Sequence, residues 1–203
     1  MKIICIGRNY ADHAKEMNAP LPTVPMFFMK PDVALLKNGN PFYYPEFSKD
    51  IHYECELVVR ISKAGKNIAE KFAHNYYSEI GLGIDFTARD LQQLCKEKGQ
   101  PWEIAKSFEA SAPISERFIP IKELDLSTLE FSLDQNGKRV QTGHAKDMIF
   151  GIDQLIAYVS RFMTLKTGDL IYTGTPQGVG PIAIGDVLIG KIGTEEMFRL
   201  EVK

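Results

Sequence analysis

The chain has 203 residues, 44% hydrophobic and 25% charged, which fits one globular domain over 1–203 with enough apolar side chains for a sizeable core. Lys plus Arg number 24 and Asp plus Glu 26, a net charge of −2 that gives no electrostatic reason to expect nucleic acid or a membrane as partner. The apolar stretch before Arg8 is too short for a secretory segment or a bilayer span. Cys5, Cys55 and Cys95 lack C-x-x-C spacing, which argues for reduced thiols in a cytoplasmic protein and against a thiolate zinc site.

In chain order, KIICIG reads as a buried strand and YADHAKEM as a short helix. Pro20, Pro22 and Pro25 make NAPLPTVP a loop, because proline removes an N–H donor and breaks helix interiors. MFFMK and PFYYP are strand-like, and YECELVVRIS is the strongest strand pattern in the chain. IAEKFAHNYY looks helical and EIGLGIDFT is again a strand. ARDLQQLCKEK places Leu91, Leu94 and Cys95 at helical spacing and stops at Gly99-Gln100-Pro101. Asn136-Gly137 between alternating segments predicts a hairpin. IDQLIAYVSRFM is an amphipathic helix, and GDLIYTG, GDVLIGKIG and MFRLEVK are the last strands. Strands outnumber helices without alternating with them, so the expected class is α+β and mainly β, not a doubly wound sheet.

Within HYECE, Glu54 and Glu56 are two positions apart, which in an extended chain puts both on one face roughly 6–7 Å apart. A solvated strand face explains a lone pair of this kind. Asp85, before the helix, reads as a cap or turn carboxylate, or as the third member of a site with Glu54 and Glu56. Three carboxylates without His or Cys suit a hard cation, Mg²⁺ first and Mn²⁺ second. Lys106 is by default a surface lysine; alternatively it is a buried ammonium that balances a carboxylate or an enolate. His13 and Glu16 share a helix face at i and i+3, either as a surface pair or as a dyad in which Glu16 orients His13 to take a proton from water. YTGTPQGVG lacks the G-K-[ST] of a P-loop. It serves as a turn, or offers Thr175 and main-chain N–H groups to an anion.

Taken together, GRNYADHAKEM, HYECEL, GIDFTARDLQ, PWEIAKSF, DMIFGI and TGTPQGVG resemble the fumarylacetoacetate hydrolase superfamily, and within it the short acylpyruvase and oxaloacetate decarboxylase members. The resemblance runs over nearly the whole chain. It implies a mixed β-sandwich roll with a few short helices and a homodimer with one Mg²⁺ site per subunit. It further implies Glu54, Glu56 and Asp85 as metal ligands, Lys106 as the active-site lysine and His13 with Glu16 as the water-activating pair. Arg89, Gln92 and Thr175 would contact substrate: the first two follow Asp85 at i+4 and i+7 on one helix, and the third matches a threonine near the substrate carboxylate. His144, before DMIF, stands where a small polar residue is expected, a departure that bears on substrate preference.

The function this implies is Mg-dependent cleavage of a carbon–carbon bond in an acylpyruvate, or decarboxylation of oxaloacetate, through a pyruvate enolate. An isomerase of unsaturated hydroxy-dicarboxylates or of oxaloacetate needs the metal and a proton shuttle but no attacking water. A catalytically silent metal-dependent binding module is the third reading.

Overall fold

The computed structural model describes residues 1–37 and 39–203. β1 (Ile3–Gly7) leads into α1 (Ala11–Glu16), and the proline-rich loop then reaches β2 (Met26–Lys30). β3 (Leu35–Leu36) is short, and β4 (Ile51–Tyr53) is followed after one residue by β5 (Cys55–Ile61). β6 (Tyr77–Ile84) and β7 (Thr87–Ala88) precede α2 (Arg89–Lys98), α3 (Glu103–Lys106), β8 (Ala112–Pro113) and β9 (Ile119–Pro120). β10 (Glu130–Gln135) and β11 (Lys138–His144) form the hairpin expected at Asn136-Gly137. After α4 (Ile152–Ser160) come β12 (Leu170–Tyr172), β13 (Gly180–Pro181), β14 (Val187–Ile192) and β15 (Glu195–Glu201).

These strands make a six-stranded sheet, β2-β1-β12-β5-β6-β9, and a four-stranded sheet, β11-β10-β14-β15. β1 pairs parallel with β12 and antiparallel with β2, which accounts for the mixed character. Ile4, Leu57, Val59, Leu82, Phe131, Leu133 and Leu188, from both sheets, share one core with Leu155, Ile156 and Val159 of α4. The described residues are thus mainly β with four short α-helices, as the sequence pattern predicts. Among the described residues no helix is long and apolar enough to cross a membrane.

Three expectations need correction. PFYYP is not a strand: it makes one isolated bridge, Phe42 to Val202, because Pro41 and Pro45 flank it and cannot donate to a ladder. IAEKFAHNYY holds only a 3₁₀ segment, Glu70–Asn75. Its start is tied by Ser160, which accepts from Asn67 N–H and, through Oγ, from Ile68 N–H, and its end is drawn into β6, leaving no length for an α-helix. YECELVVRIS is interrupted at Glu54, since β4 pairs with β13 and β7 while β5 pairs with β6 and β12.

That interruption positions the carboxylates. Ile51 faces Ala88 and His52 faces Thr87 on one side of the break, and Cys55 faces Ile84 and Glu56 faces Gly83 on the other. The register is the same on both sides, so Glu54 and Asp85 stand opposite each other at the break, joined by the Asp85 N–H donating to Glu54 O at 2.8 Å. Residues directly opposite in an antiparallel pair project to one face, and Glu56 at i+2 from Glu54 shares it.

Candidate active site

Glu54, Glu56 and Asp85 are all buried, and each presents a carboxylate oxygen within 4.8 Å of the others. Such a cluster is costly in a low-dielectric interior unless cations balance it. Lys106 donates from Nζ to Glu54 Oε2 at 2.9 Å and to Asp85 Oδ2 at 2.7 Å. Arg89 Nη2 donates to Glu54 Oε1 at 2.6 Å, and Thr87 Oγ1 donates to the same oxygen at 3.0 Å. Among the described residues no cation forms an ion pair with Glu56; Gly174 N–H donates to its Oε2 at 2.8 Å. Gly174 has φ +97, and a Cβ there would come 2.6 Å from Asn9 Cβ, so only glycine lets this N–H reach the carboxylate.

The electrostatics divide the cluster. Burial pushes the Glu56 carboxyl well above its usual range, and the neighbouring Asp85 and Glu54 charges push it further. Burial acts the same way on Glu54, but Lys106 and Arg89 outweigh it and hold Glu54 well below the usual range. For Lys106, burial disfavours the ammonium, yet Asp85 and Glu54 prevail and raise it.

The donor set fits a hard divalent cation. The ligand atoms would all be carboxylate oxygens, which Mg²⁺ and Mn²⁺ accept. Asp85 Oδ1 is buried and receives no hydrogen bond. Lys30 Nζ forms an ion pair with it at 2.8 Å, but its three protons also have Phe86 O, Lys106 O, Ser111 O and Ser111 Oγ within reach. A buried carboxylate oxygen that shares one ammonium with four other acceptors, beside a carboxylate with a raised pKa, is a pattern that an added cation relieves.

A cavity of about 60 Å³ opens onto the triad, room for an ion with a few waters. His13, Arg89, Gln92, Lys106 and Thr175 line it together with the three carboxylates. His13 is buried in α1, and its Nδ1 lies 3.0 Å from Glu16 Oε2. Gly178 N–H donates to Glu16 Oε1 at 3.0 Å, fastening α1 to the TGTPQGVG loop. Gln92 Oε1 accepts from Arg89 Nη1 at 2.9 Å. The Thr175 hydroxyl donates to Cys55 O and accepts from Gln141 Nε2, both at 2.9 Å, so what it can offer an anion is its main-chain N–H. Among the described residues that the sequence assigns to the site, Glu16 does not line the cavity and reaches it through His13.

His144 stands apart. It lies 3.9 Å from Glu130 and lines a different cleft with Tyr10, Asp12, Thr142 and Asp147, so its side chain does not face the triad. Several residues escaped the sequence reading. Lys30 ended a strand pattern with no mark of burial. Gln141, which also accepts from Cys55 N–H at 2.9 Å, looks like any strand glutamine. Asn9 is fully buried; its Nδ2 donates to Phe150 O and Thr173 O, and its Oδ1 accepts from Phe150 N–H. The available signal was GRNY itself, whose Arg8 and Asn9 carried no assigned role.

A buried three-carboxylate centre with a lysine and a His–Glu pair is set at a break between paired strands of a mixed β roll, the fold of a family of enzymes. The chain belongs to the fumarylacetoacetate hydrolase family: residues 2–198 match the family described as fumarylacetoacetate (FAA) hydrolase C-terminal. It is 44% identical over 202 residues to the mitochondrial oxaloacetate tautomerase of Mus musculus, covering 99% of this chain and 91% of that protein. It is 44% identical over 189 residues to the mitochondrial oxaloacetate decarboxylase of Dictyostelium discoideum, covering 92% of this chain and 86% of the relative. The fumarylpyruvate hydrolase of Pseudomonas aeruginosa, solved with Mn²⁺ and pyruvate, superposes with a TM-score of 0.92 at 36% identity, covering 100% of this chain and 89% of that one.

Proposed function

We propose that the chain is a divalent-metal-dependent enzyme that acts on small 2-oxo acids, cleaving a carbon–carbon bond in acylpyruvates or decarboxylating oxaloacetate by way of a pyruvate enolate. The observation that carries this reading is the convergence of Glu54, Glu56, Asp85, Lys106 and His13 on one cavity. Glu54, Glu56 and Asp85 would hold the cation, Mg²⁺ or Mn²⁺. When bound it supplies Lewis-acid charge beside the carbonyl and carboxylate of a 2-oxo acid.

The protein's own groups have separable tasks. Lys106 brings a fixed positive charge to where negative charge develops as the bond breaks, which is where preorganised charge accelerates most. Arg89 and Gln92 orient the bound acid, and the Thr175 N–H offers a donor to its carboxylate. His13, held at Nδ1 by Glu16, would take a proton at Nε2 from a water that attacks the distal carbonyl of an acylpyruvate. α1, fastened through Glu16 to Gly178, covers the cavity and limits access of bulk water.

A second reading shares every group but the attacking water. In oxaloacetate tautomerisation, His13 would move a proton between carbon and oxygen. The 44% identity to a tautomerase supports it. Purified protein should be assayed with Mg²⁺ and Mn²⁺ against acetylpyruvate, fumarylpyruvate and oxaloacetate, with products and keto–enol exchange followed together. Exchange without cleavage selects the tautomerase, and full turnover by protein shown to be metal-free overturns both readings.

The free, buried Cys5, Cys55 and Cys95 support a reducing, cytoplasmic setting, and we further propose a homodimer, which sedimentation equilibrium would test.

A further inference from the structure

β12 runs antiparallel to β5, with Leu170 opposite Arg60, Ile171 opposite Val59 and Tyr172 opposite Val58. The same register continues past the end of β12, where Thr173 N–H donates to Leu57 O at 3.0 Å. Hydrogen-bonded pairs recur at every second residue of an antiparallel ladder, so the next pair due is Thr175 with Cys55. On the β6 side the bond falls at Glu54, whose O accepts from Asp85 N–H, so the N–H and O of Cys55 face the Thr175 side. Yet the pair is not made. Cys55 N–H donates instead to Gln141 Oε1, and Cys55 O accepts from the Thr175 hydroxyl, both at 2.9 Å. Two side chains thus occupy the main-chain groups that Thr175 would otherwise bond. Among the described residues the Thr175 N–H donates to no protein acceptor, although Thr175 is buried and lines the cavity.

Gln141 comes from β11 of the other sheet and is itself buried. Its amide is fully used: Nε2 donates to Thr175 Oγ1 at 2.9 Å and to Pro176 O at 3.0 Å, while Oε1 holds Cys55 N–H. The bond to Thr175 Oγ1 also orients that hydroxyl, whose single proton is left for Cys55 O. We propose that Gln141 is a positioning residue: its amide blocks the last ladder pair between Thr175 and Cys55, and so keeps the Thr175 N–H free for an anion in the cavity. The inference rests on the reading above, in which a 2-oxo acid binds at the carboxylate triad. Buried main-chain N–H groups are rarely left without a partner, and at a cavity wall the missing acceptor is supplied by what binds there. Without the amide, Cys55 N–H and Pro176 O lose their partner. Closing the ladder then satisfies Cys55 and Thr175 together and withdraws the Thr175 N–H from the cavity.

The test uses the full chain with Mg²⁺ and oxalate as the anion, with affinity read by calorimetry and amide exchange at single residues by NMR. In the native chain without oxalate, the Thr175 amide proton should exchange faster than that of Thr173, which Leu57 O holds. Oxalate should slow the Thr175 proton by about 10-fold or more. Gln141→Met keeps the length of the side chain and removes its hydrogen bonds. It should bind oxalate about 10-fold more weakly, the worth of one hydrogen bond to a charged group. Exchange without oxalate separates positioning from loosening. Thr175 should exchange more slowly in Gln141→Met than in the native chain, because the closed ladder now holds it, whereas a loosened loop would speed Thr175 and Thr173 together. Native oxalate affinity in Gln141→Met, or faster exchange at both residues there, overturns the positioning role and leaves the parent reading standing. The native chain decides even where the variant does not fold: a Thr175 proton as protected as that of Thr173 before oxalate is added also overturns the role. Failure of oxalate to bind the native chain with either Mg²⁺ or Mn²⁺ overturns the parent reading, and the inference with it.

Discussion

Lys30 Nζ and Asp85 Oδ1 lie 2.8 Å apart with both side chains buried. The ammonium also serves Phe86 O, Lys106 O, Ser111 O and Ser111 Oγ, binding the end of β2 to the segments that carry Asp85 and Lys106. Lys30→Met should therefore strand several buried acceptors and one carboxylate. Breaking a buried pair from one side costs about 3–5 kcal/mol, and urea denaturation should show a loss of that size. Divalent metal should recover part of it by restoring a cation beside Asp85.

Glu56 gives the opposite sign. Among the described residues no cation forms an ion pair with it, and burial, with the neighbouring Asp85 and Glu54 charges, disfavours its charge. Glu56→Gln keeps the shape and an acceptor for Gly174 N–H, so the metal-free variant should melt at or above the native temperature. Metal that binds only the folded state stabilises by mass action, and the Mg²⁺- or Mn²⁺-induced rise in Tm should largely vanish in this variant. A native-sized metal shift in Glu56→Gln would remove Glu56 from the ligand set.

Much of this arrangement was legible in the sequence, because the elements that carry it announce themselves locally. Asn136-Gly137 specified the β10–β11 turn, with φ +53 and +80, and Gly99 at φ +62 ends α2 where the apolar spacing stops. The i, i+2 spacing of Glu54 and Glu56 anticipated their shared face. The break at Glu54 was hidden, since which sheet a residue joins depends on distant partners. Lys30, Asn9 and Gln141 were hidden for the same reason: a buried polar side chain is explained by acceptors and donors more than 50 residues away. PFYYP misled because its flanking prolines limit it to one isolated bridge, and IAEKFAHNYY because its tertiary ties leave no length for the α-helix that its local pattern suggests.

Asp134 sets a pH dependence away from the cavity. It is buried, Arg139 hydrogen-bonds it, and Lys191 Nζ donates to its Oδ2 at 2.9 Å, so three strands of one sheet meet at this carboxylate. The Arg139 hydrogen bond, opposed by burial and aided by Lys191, holds its carboxyl below the usual range. A depressed folded pKa gives stability that is present above the unfolded value, about 3.9, and lost as pH falls through the folded value. Asp134→Asn should be less stable than the native chain by about 1–2 kcal/mol at pH 7. The gap should close as pH falls below about 4; a gap constant with pH would mean that the charge contributes nothing.

The His13–Glu16 pair and Lys106 can be separated by the reactions they serve. His13 lines the cavity and is held by Glu16, which Gly178 holds in turn. Hydrolysis of an acylpyruvate needs an activated water, whereas decarboxylation of oxaloacetate needs only a place for the electron pair left behind. Loss of a general base typically costs about 10²–10⁴-fold in the step it serves. His13→Ala should depress acylpyruvate hydrolysis by about that factor and decarboxylation far less. Glu16→Ala should resemble it in milder form, because an orienting partner matters less than the base. Lys106→Ala should damage both reactions, since both build negative charge at the same place. Steady-state kinetics on both substrates, with fold checked by circular dichroism and metal content by elemental analysis, reads out all three variants. Equal loss of both activities in His13→Ala, with fold and metal intact, would refute water activation and identify His13 as a proton shuttle, the role that the tautomerase reading requires.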